Sequence, residues 1–220
     1  MARWIDIDNP VAPMRAWRAE PPAPSRGAVV VIQEIFGVNA HIRAVTEHFA
    51  AAGFVALAPA LFDPIQQGVE LGYDEDGVAR GRELAAGLGF ERAVELIDAT
   101  AELLQDEGLR TAAVGFCWGG SLALLANTRL GLPAVSYYGG RSVPLLDEPL
   151  RAPMMFHFGE HDPIIPPQHV ALHRDAYPGA IIHLYPAGHG FNCETRADFD
   201  PSSAGLAWQR TTDFLAENLR

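Results

Sequence analysis

The chain contains no lysine; all 16 of its basic residues are arginine. That absence excludes a Schiff-base lysine, a phosphate loop ending in Gly-Lys and Ser–Lys catalysis. Positive charge is scarce altogether. Against 27 acidic residues it leaves a formal net charge of −11, which argues against nucleic acid or an anionic membrane surface as partner. There are only two cysteines, Cys117 and Cys193, too few for a disulfide framework. No apolar run is long enough to span a bilayer, and Met1-Ala2-Arg3-Trp4-Ile5-Asp6 lacks the apolar core of a secretion signal. The expectation is a cytoplasmic protein with reduced thiols. There is no internal repeat or low-complexity tract. With 49% hydrophobic residues in 220, the chain has ample material for one core, and a single α/β domain over 1–220 is expected.

Apolar runs alternate with helical patterns. Trp4–Asp8 and Met14–Arg18 read as two short edge strands, separated from the main sheet by the Pro-rich stretch 20–27. Ala28–Ile32, Phe54–Ala58, Thr111–Val114, Ala134–Tyr138, Pro153–Phe158 and Ile181–Tyr185 read as strands. Helices are expected over His41–Ala52, capped by Asn39 and stopped by Gly53, and over Asp74–Leu88, Glu91–Gln105, Gln168–Asp175 and Ala204–Leu219. The last offers Leu206, Trp208, Phe214 and Leu215 for burial. This alternation implies a mostly parallel sheet with helices on both faces, whose ligands sit beyond the carboxyl ends of the strands.

The chemistry concentrates in those loops. Gly115-Phe116-Cys117-Trp118-Gly119-Gly120 joins an apolar strand to a helical run. It reads as a nucleophile elbow of the α/β-hydrolase fold with Cys117 at its apex, where the commoner version has serine. Gly159-Glu160-His161-Asp162 and Gly188-His189-Gly190-Phe191 follow later strands. The order Cys117, Asp162, His189 is the nucleophile–acid–histidine order of that fold. A thiolate needs a neighbouring imidazole, and the imidazole needs a carboxylate on its far nitrogen to hold its tautomer. Glu160 is a rival for the acid. An oxyanion hole is expected from the backbone N–H groups of Trp118 and Ile35.

Together with Gln33-Glu34-Ile35-Phe36-Gly37, these motifs resemble the dienelactone hydrolases, also called carboxymethylenebutenolidases. The resemblance runs from about Ala28 to the C-terminal helix. It implies an ester- or lactone-cleaving enzyme that works without a cofactor, with Cys117, Asp162 and His189 as its triad. It also implies that Glu34 touches the thiol and helps to generate the thiolate when substrate arrives. The family tends to be monomeric. Its members grip a substrate carboxylate with two arginines. Arg82, or else Arg80, matches one. Cys193 stands where the other belongs, four residues past His189, and Arg196 follows three residues later.

Phe36, Tyr138 and Phe191 are expected to line an apolar pocket around the substrate. A reversible Cys117–Cys193 disulfide is an alternative use of the second thiol. The pairs His169/His173 and His157/His161 lack a third ligand in a recognised zinc pattern, so these rings are expected to lie in solvent at the surface and no metal is expected. Two other functions fit the same residues: a thioesterase or cysteine peptidase on this fold, and a non-enzymatic module that binds a small molecule.

Overall fold

The computed structural model describes residues 1–8 and 12–219. Eight strands form one sheet: β1 (Ala2–Ile7), β2 (Met14–Ala19), β3 (Ala28–Ile32), β4 (Val55–Pro59), β5 (Thr111–Phe116), β6 (Ala134–Tyr137), β7 (Met154–Gly159) and β8 (Ile181–Tyr185). Their order is β1-β2-β4-β3-β5-β6-β7-β8. β1 and β2 pair antiparallel with each other, β2 pairs antiparallel with β4, and the remaining ladders are parallel. Every residue of β3, β4 and β5 is buried. That explains their continuous apolar runs, each large side chain contributing about 1.5–3 kcal/mol on burial.

Among the described residues, four α-helices connect strands, α1 (Ala40–Ala51), α2 (Glu75–Asp106), α3 (Trp118–Leu130) and α4 (Pro167–Ala176), and a fifth, α5 (Pro201–Asn218), follows β8. The Ile42 N–H donates to Asn39 Oδ1 at 3.2 Å, so Asn39 caps α1. The two helices expected over Asp74–Gln105 run on as one element with a break at Gly89 (φ 74, ψ 167). A residue with a Cβ is strained in that conformation. The connection β3–α1–β4 steps one way along the sheet, and β4–α2–β5 steps back past β3. Right-handed crossovers therefore put α1 and α2 on opposite faces. The reversal also opens a crevice between the carboxyl ends of β3 and β5, the usual ligand position in such sheets.

Two expectations about burial are corrected. Leu206 lies on the outer face of α5 and is 44% exposed, whereas Phe214 and Leu215 face the sheet. His157 and His173 are buried rather than surface groups. His173 Nε2 lies 2.8 Å from Ser142 Oγ and its Nδ1 2.7 Å from the His169 carbonyl. His157 sits between the Tyr185 hydroxyl at 2.8 Å and Thr211 Oγ1 at 3.0 Å, and Thr211 bonds the Tyr137 hydroxyl at 2.6 Å. This chain ties α5 to β6, β7 and β8, and burial explains why a sequence pattern alone misplaces these rings.

Burial holds the pKa of His157 well below 6.5, helped by the nearby positive charge of His183 and Arg210. The unfolded chain takes up that proton near pH 6.5 while the folded protein resists it, so stability is full above that value and falls as pH drops below it. Urea unfolding is expected to give a lower midpoint at pH 5 than at pH 7.5. His157→Leu should cost about 1–3 kcal/mol at pH 7.5 and make the acid-side fall shallower.

Candidate active site

Strand register sets the site. β3 pairs with β5 through Ile32 and Gly115, so Glu34 and Cys117, each two residues further on, leave the sheet at the same level. β5 pairs with β6 through Phe116 and Tyr137, and the Cys117 N–H donates to the Tyr137 carbonyl at 2.9 Å. Cys117 holds φ 54 and ψ −115 at the start of α3, a conformation that only a surrounding structure can impose. A Cβ on Gly115 would come within 1.8 Å of the Gly119 carbonyl oxygen, and one on Gly119 within 2.4 Å of the Ile32 and Gln33 oxygens. Those contacts leave room for glycine alone.

Three of the expected residues meet in a hydrogen-bonded chain. His189 Nε2 lies 3.2 Å from Cys117 Sγ, and His189 Nδ1 lies 2.8 Å from Asp162 Oδ2. The other Asp162 oxygen accepts the N–H groups of Ile164 at 2.8 Å and Ile165 at 3.3 Å. Asp162 and His189 are buried and Cys117 is half-buried. Glu160, the rival acid, is exposed. Burial alone would depress the His189 pKa, but the bonds to Asp162 and Cys117 outweigh it and raise the value to about 10. Among the described residues, neither the Ile35 nor the Trp118 backbone N–H has a protein acceptor. Both are free to donate to an oxyanion.

Glu34 is fully buried. Arg196 Nη1 donates to its Oε1 at 3.3 Å, while its Oε2 has no partner among the described residues. Successive turns return Arg196 to the site: the Cys193 N–H donates to the Gly190 carbonyl, and the Arg196 N–H to the Cys193 carbonyl. Burial works against the Arg196 charge, but the negative charges of Glu34, Cys117, Tyr138 and Cys193 together outweigh it and its pKa ends above the ordinary value. The guanidinium carbon lies 6.0 Å from the Phe36 ring centre and 5.8 Å from that of Tyr73. Arg82 is exposed on α2, and Arg80 is held by Glu83 and Gln66, each at 2.6 Å. Gly81, between them, is where α2 touches the first loop: a Cβ there would come 2.3 Å from the Ile35 carbonyl oxygen.

The aromatic residues are more enclosed than pocket walls usually are. Trp118 stacks on Phe62 at 5.5 Å, and Phe36 packs on Tyr73 at 4.5 Å. Tyr138, at φ 40, sets its ring edge-on to His189 at 5.2 Å, and Phe191 backs Tyr138 at 5.4 Å. Phe191 is fully buried. The Tyr138 hydroxyl is buried without a partner among the described residues. Burial, then the charges of Glu34 and Cys193, hold its pKa well above 10. Cys117 and Cys193 are both free thiols. Cys193 Sγ lies 3.2 Å from Thr195 Oγ1.

A sequence profile of the Dienelactone hydrolase family matches residues 14–219. The chain belongs to this family. It is 33% identical over 212 residues to a carboxymethylenebutenolidase of a Pseudomonas species, covering 88% of this chain and 86% of that protein. It is 30% identical over 215 residues to carboxymethylenebutenolidase 1 of Cupriavidus pinatubonensis, covering 91% of this chain and 90% of that protein. A crystal structure from Klebsiella pneumoniae, provisionally designated a dienelactone hydrolase, superposes with a TM-score of 0.89 at 30% identity. That match covers 99% of this chain and 98% of the other. As a member of the dienelactone hydrolase family, the protein is a hydrolase of ester or lactone bonds. No helix among the described residues is long and apolar enough to cross a membrane.

The raised His189 pKa has a defined sign. Protonation near 6.5 in the unfolded chain and near 10 in the folded one means that the imidazolium contributes stability fully below about pH 6.5 and loses it as pH rises through about 10. Asp162→Asn removes the first of the two bonds that raise it while leaving the ring buried. NMR of the imidazole should show the His189 pKa falling by more than one unit. Urea unfolding should show the variant's deficit larger at pH 6 than above pH 10. A deficit independent of pH would rule out this account of the Asp162–His189 pair.

Proposed function

We propose that the protein hydrolyses small esters or lactones that carry a carboxylate, through a thioester formed on Cys117. The observation that carries this reading is the Cys117–His189–Asp162 chain, with its contacts of 3.2 and 2.8 Å. The Cys117 thiolate adds to the substrate carbonyl, and the oxyanion is held by the N–H groups of Ile35 and Trp118. Collapse of the adduct breaks the ester C–O bond, and His189 gives its proton to the departing alkoxide or enolate oxygen. His189 then takes a proton from water. The hydroxide adds to the thioester, the C–S bond breaks, and the acid leaves with Cys117 again a thiolate. Asp162 holds the imidazole tautomer and stabilises its charged form.

Glu34 and Arg196 supply the selectivity in this reading. Arg196 makes one contact with Glu34, at 3.3 Å, so a substrate carboxylate can exchange for it. Glu34, released, is the base that takes the thiol proton. Phe36, Tyr138 and Phe191 shape the apolar surroundings of the bound acyl group. Arg82 is a second cation for a longer anionic substrate, reaching from the exposed face of α2. The enclosed setting of a half-buried Cys117 favours a small substrate over a peptide or a long acyl chain.

The test is a panel of aryl esters and lactones with and without a carboxylate. Arg196→Ala should lower kcat/KM for the anionic members about 10- to 100-fold more than for the neutral ones, the worth of one charged hydrogen bond. If Arg82→Ala gives that selective loss instead, the substrate carboxylate lies toward α2. Equal losses on both substrate sets with either variant would exclude recognition of the carboxylate. Glu34→Gln should reduce kcat by about a hundredfold with an unchanged fold. Mass spectrometry of a quenched reaction with a slow ester should find the acyl group on native protein and none on Cys117→Ala. Acylation of the variant would overturn the nucleophile.

A further inference from the structure

Beside the catalytic chain, but outside it, lies a second group of chemically active side chains. Glu34, His41 and Cys193 place one carboxylate oxygen, one ring nitrogen and one sulfur within 4.8 Å of one another. Glu34 and Cys193 are completely buried. Two atoms of this group, Glu34 Oε2 and His41 Nε2, are buried with no hydrogen-bond partner among the described residues. Such orphan atoms are uncommon, because each forfeits about 1–3 kcal/mol of lost hydration. Arg196 bonds only the other oxygen of Glu34, so the carboxylate has its counter-charge while Oε2 keeps a lone pair unused by any described residue.

We infer that Glu34 Oε2, His41 Nε2 and Cys193 Sγ form a binding site for a thiophilic divalent cation of the zinc class. One thiolate, one imidazole and one carboxylate make a three-ligand set with an open fourth position for water. Zinc bond lengths of about 2.0–2.3 Å put tetrahedral ligand atoms about 3.3–3.6 Å apart. The side chains therefore need to close by about 1 Å around the ion. On binding, the Cys193 thiol and the water at the fourth position each release a proton to solvent, so that thiolate, hydroxide and the Glu34 carboxylate together balance the dication and the Arg196 guanidinium. A buried site requires that balance. A cavity of about 800 Å³ between α1 and α5 is lined by His41, His48, Asn192 and Glu194, and it gives the ion an approach to His41. The chain's excess of acidic residues favours cation entry. A bound ion and the catalytic centre share Glu34, so the site joins cation availability to the acyl-transfer machinery.

The inference is tested in metal-free Cys117→Ala protein, in which Cys193 is the sole remaining thiol. That variant lacks the proposed nucleophile, so a binding result stands or falls independently of the proposed reaction. Cobalt(II) titration should give one equivalent of tetrahedral ion with a thiolate charge-transfer band. X-ray absorption of the zinc form should find one sulfur at about 2.3 Å. In the same background, His41→Asn and Glu34→Gln should each weaken zinc at least tenfold in competition with a chromophoric chelator. An octahedral cobalt spectrum without the sulfur band would overturn the site. So would an affinity that either substitution leaves within twofold.

Discussion

At Cys117 the backbone holds φ 54 and ψ −115, which an L-residue keeps only when neighbouring structure permits nothing else. Three strands supply that compulsion. β5 delivers the residue, the carbonyl of Tyr137 at the end of β6 accepts its N–H, and the carbonyls at the end of β3 press against Gly119. The strain lifts the thiol clear of the sheet and turns the following N–H groups of α3 toward the same space. The first loop, with Ile35, completes that space from the β3 side. Gly81 is part of the same construction, because α2 reaches this loop only where a side chain is missing.

Around the elbow the protein buries charge, and almost every buried charge has a partner. Asp162 is met by His189 and by two backbone N–H groups, Glu34 by Arg196. In a low-dielectric interior these pairings decide which proton sits where. They explain a histidine that keeps its proton far above the usual range despite burial. The second oxygen of Glu34, by contrast, has no hydrogen-bond partner among the described residues. It stands between two demands, the thiol proton in the proposed reaction and a cation held with His41 and Cys193. A single unpaired oxygen thus links the chemistry of the site to what could regulate it.

The same contrast runs through the histidines. His157 is neutral and enclosed by hydroxyls that bind three strands to α5. His189 carries charge because a carboxylate faces it. Both rings are buried, and the partner sets the difference.

Local pattern was sufficient for most of the architecture. The β3 and β8 limits, the Asn39 cap, the break between the two helices of α2 and the glycine-flanked elbow were legible because strand period, capping and steric room are properties of neighbouring residues. That Cys117, Asp162 and His189 meet was legible because the fold presents such residues in a set order on loops with short motifs. Proximity across the chain was not legible. Arg196 reaches Glu34 across 162 positions of sequence, through two consecutive turns that carry no sequence signature of where they point. His41 stood only as the first residue of an expected helix, and the exposure of Leu206 was invisible because helical period gives a face but not what covers it. Sequence by itself determined the elements and the reactive groups, since both follow from local covalent and steric rules. Tertiary structure alone decided which charges share a buried space, because that depends on strand order and register, which bring residues 34, 41, 117, 189, 193 and 196 to one edge of the sheet.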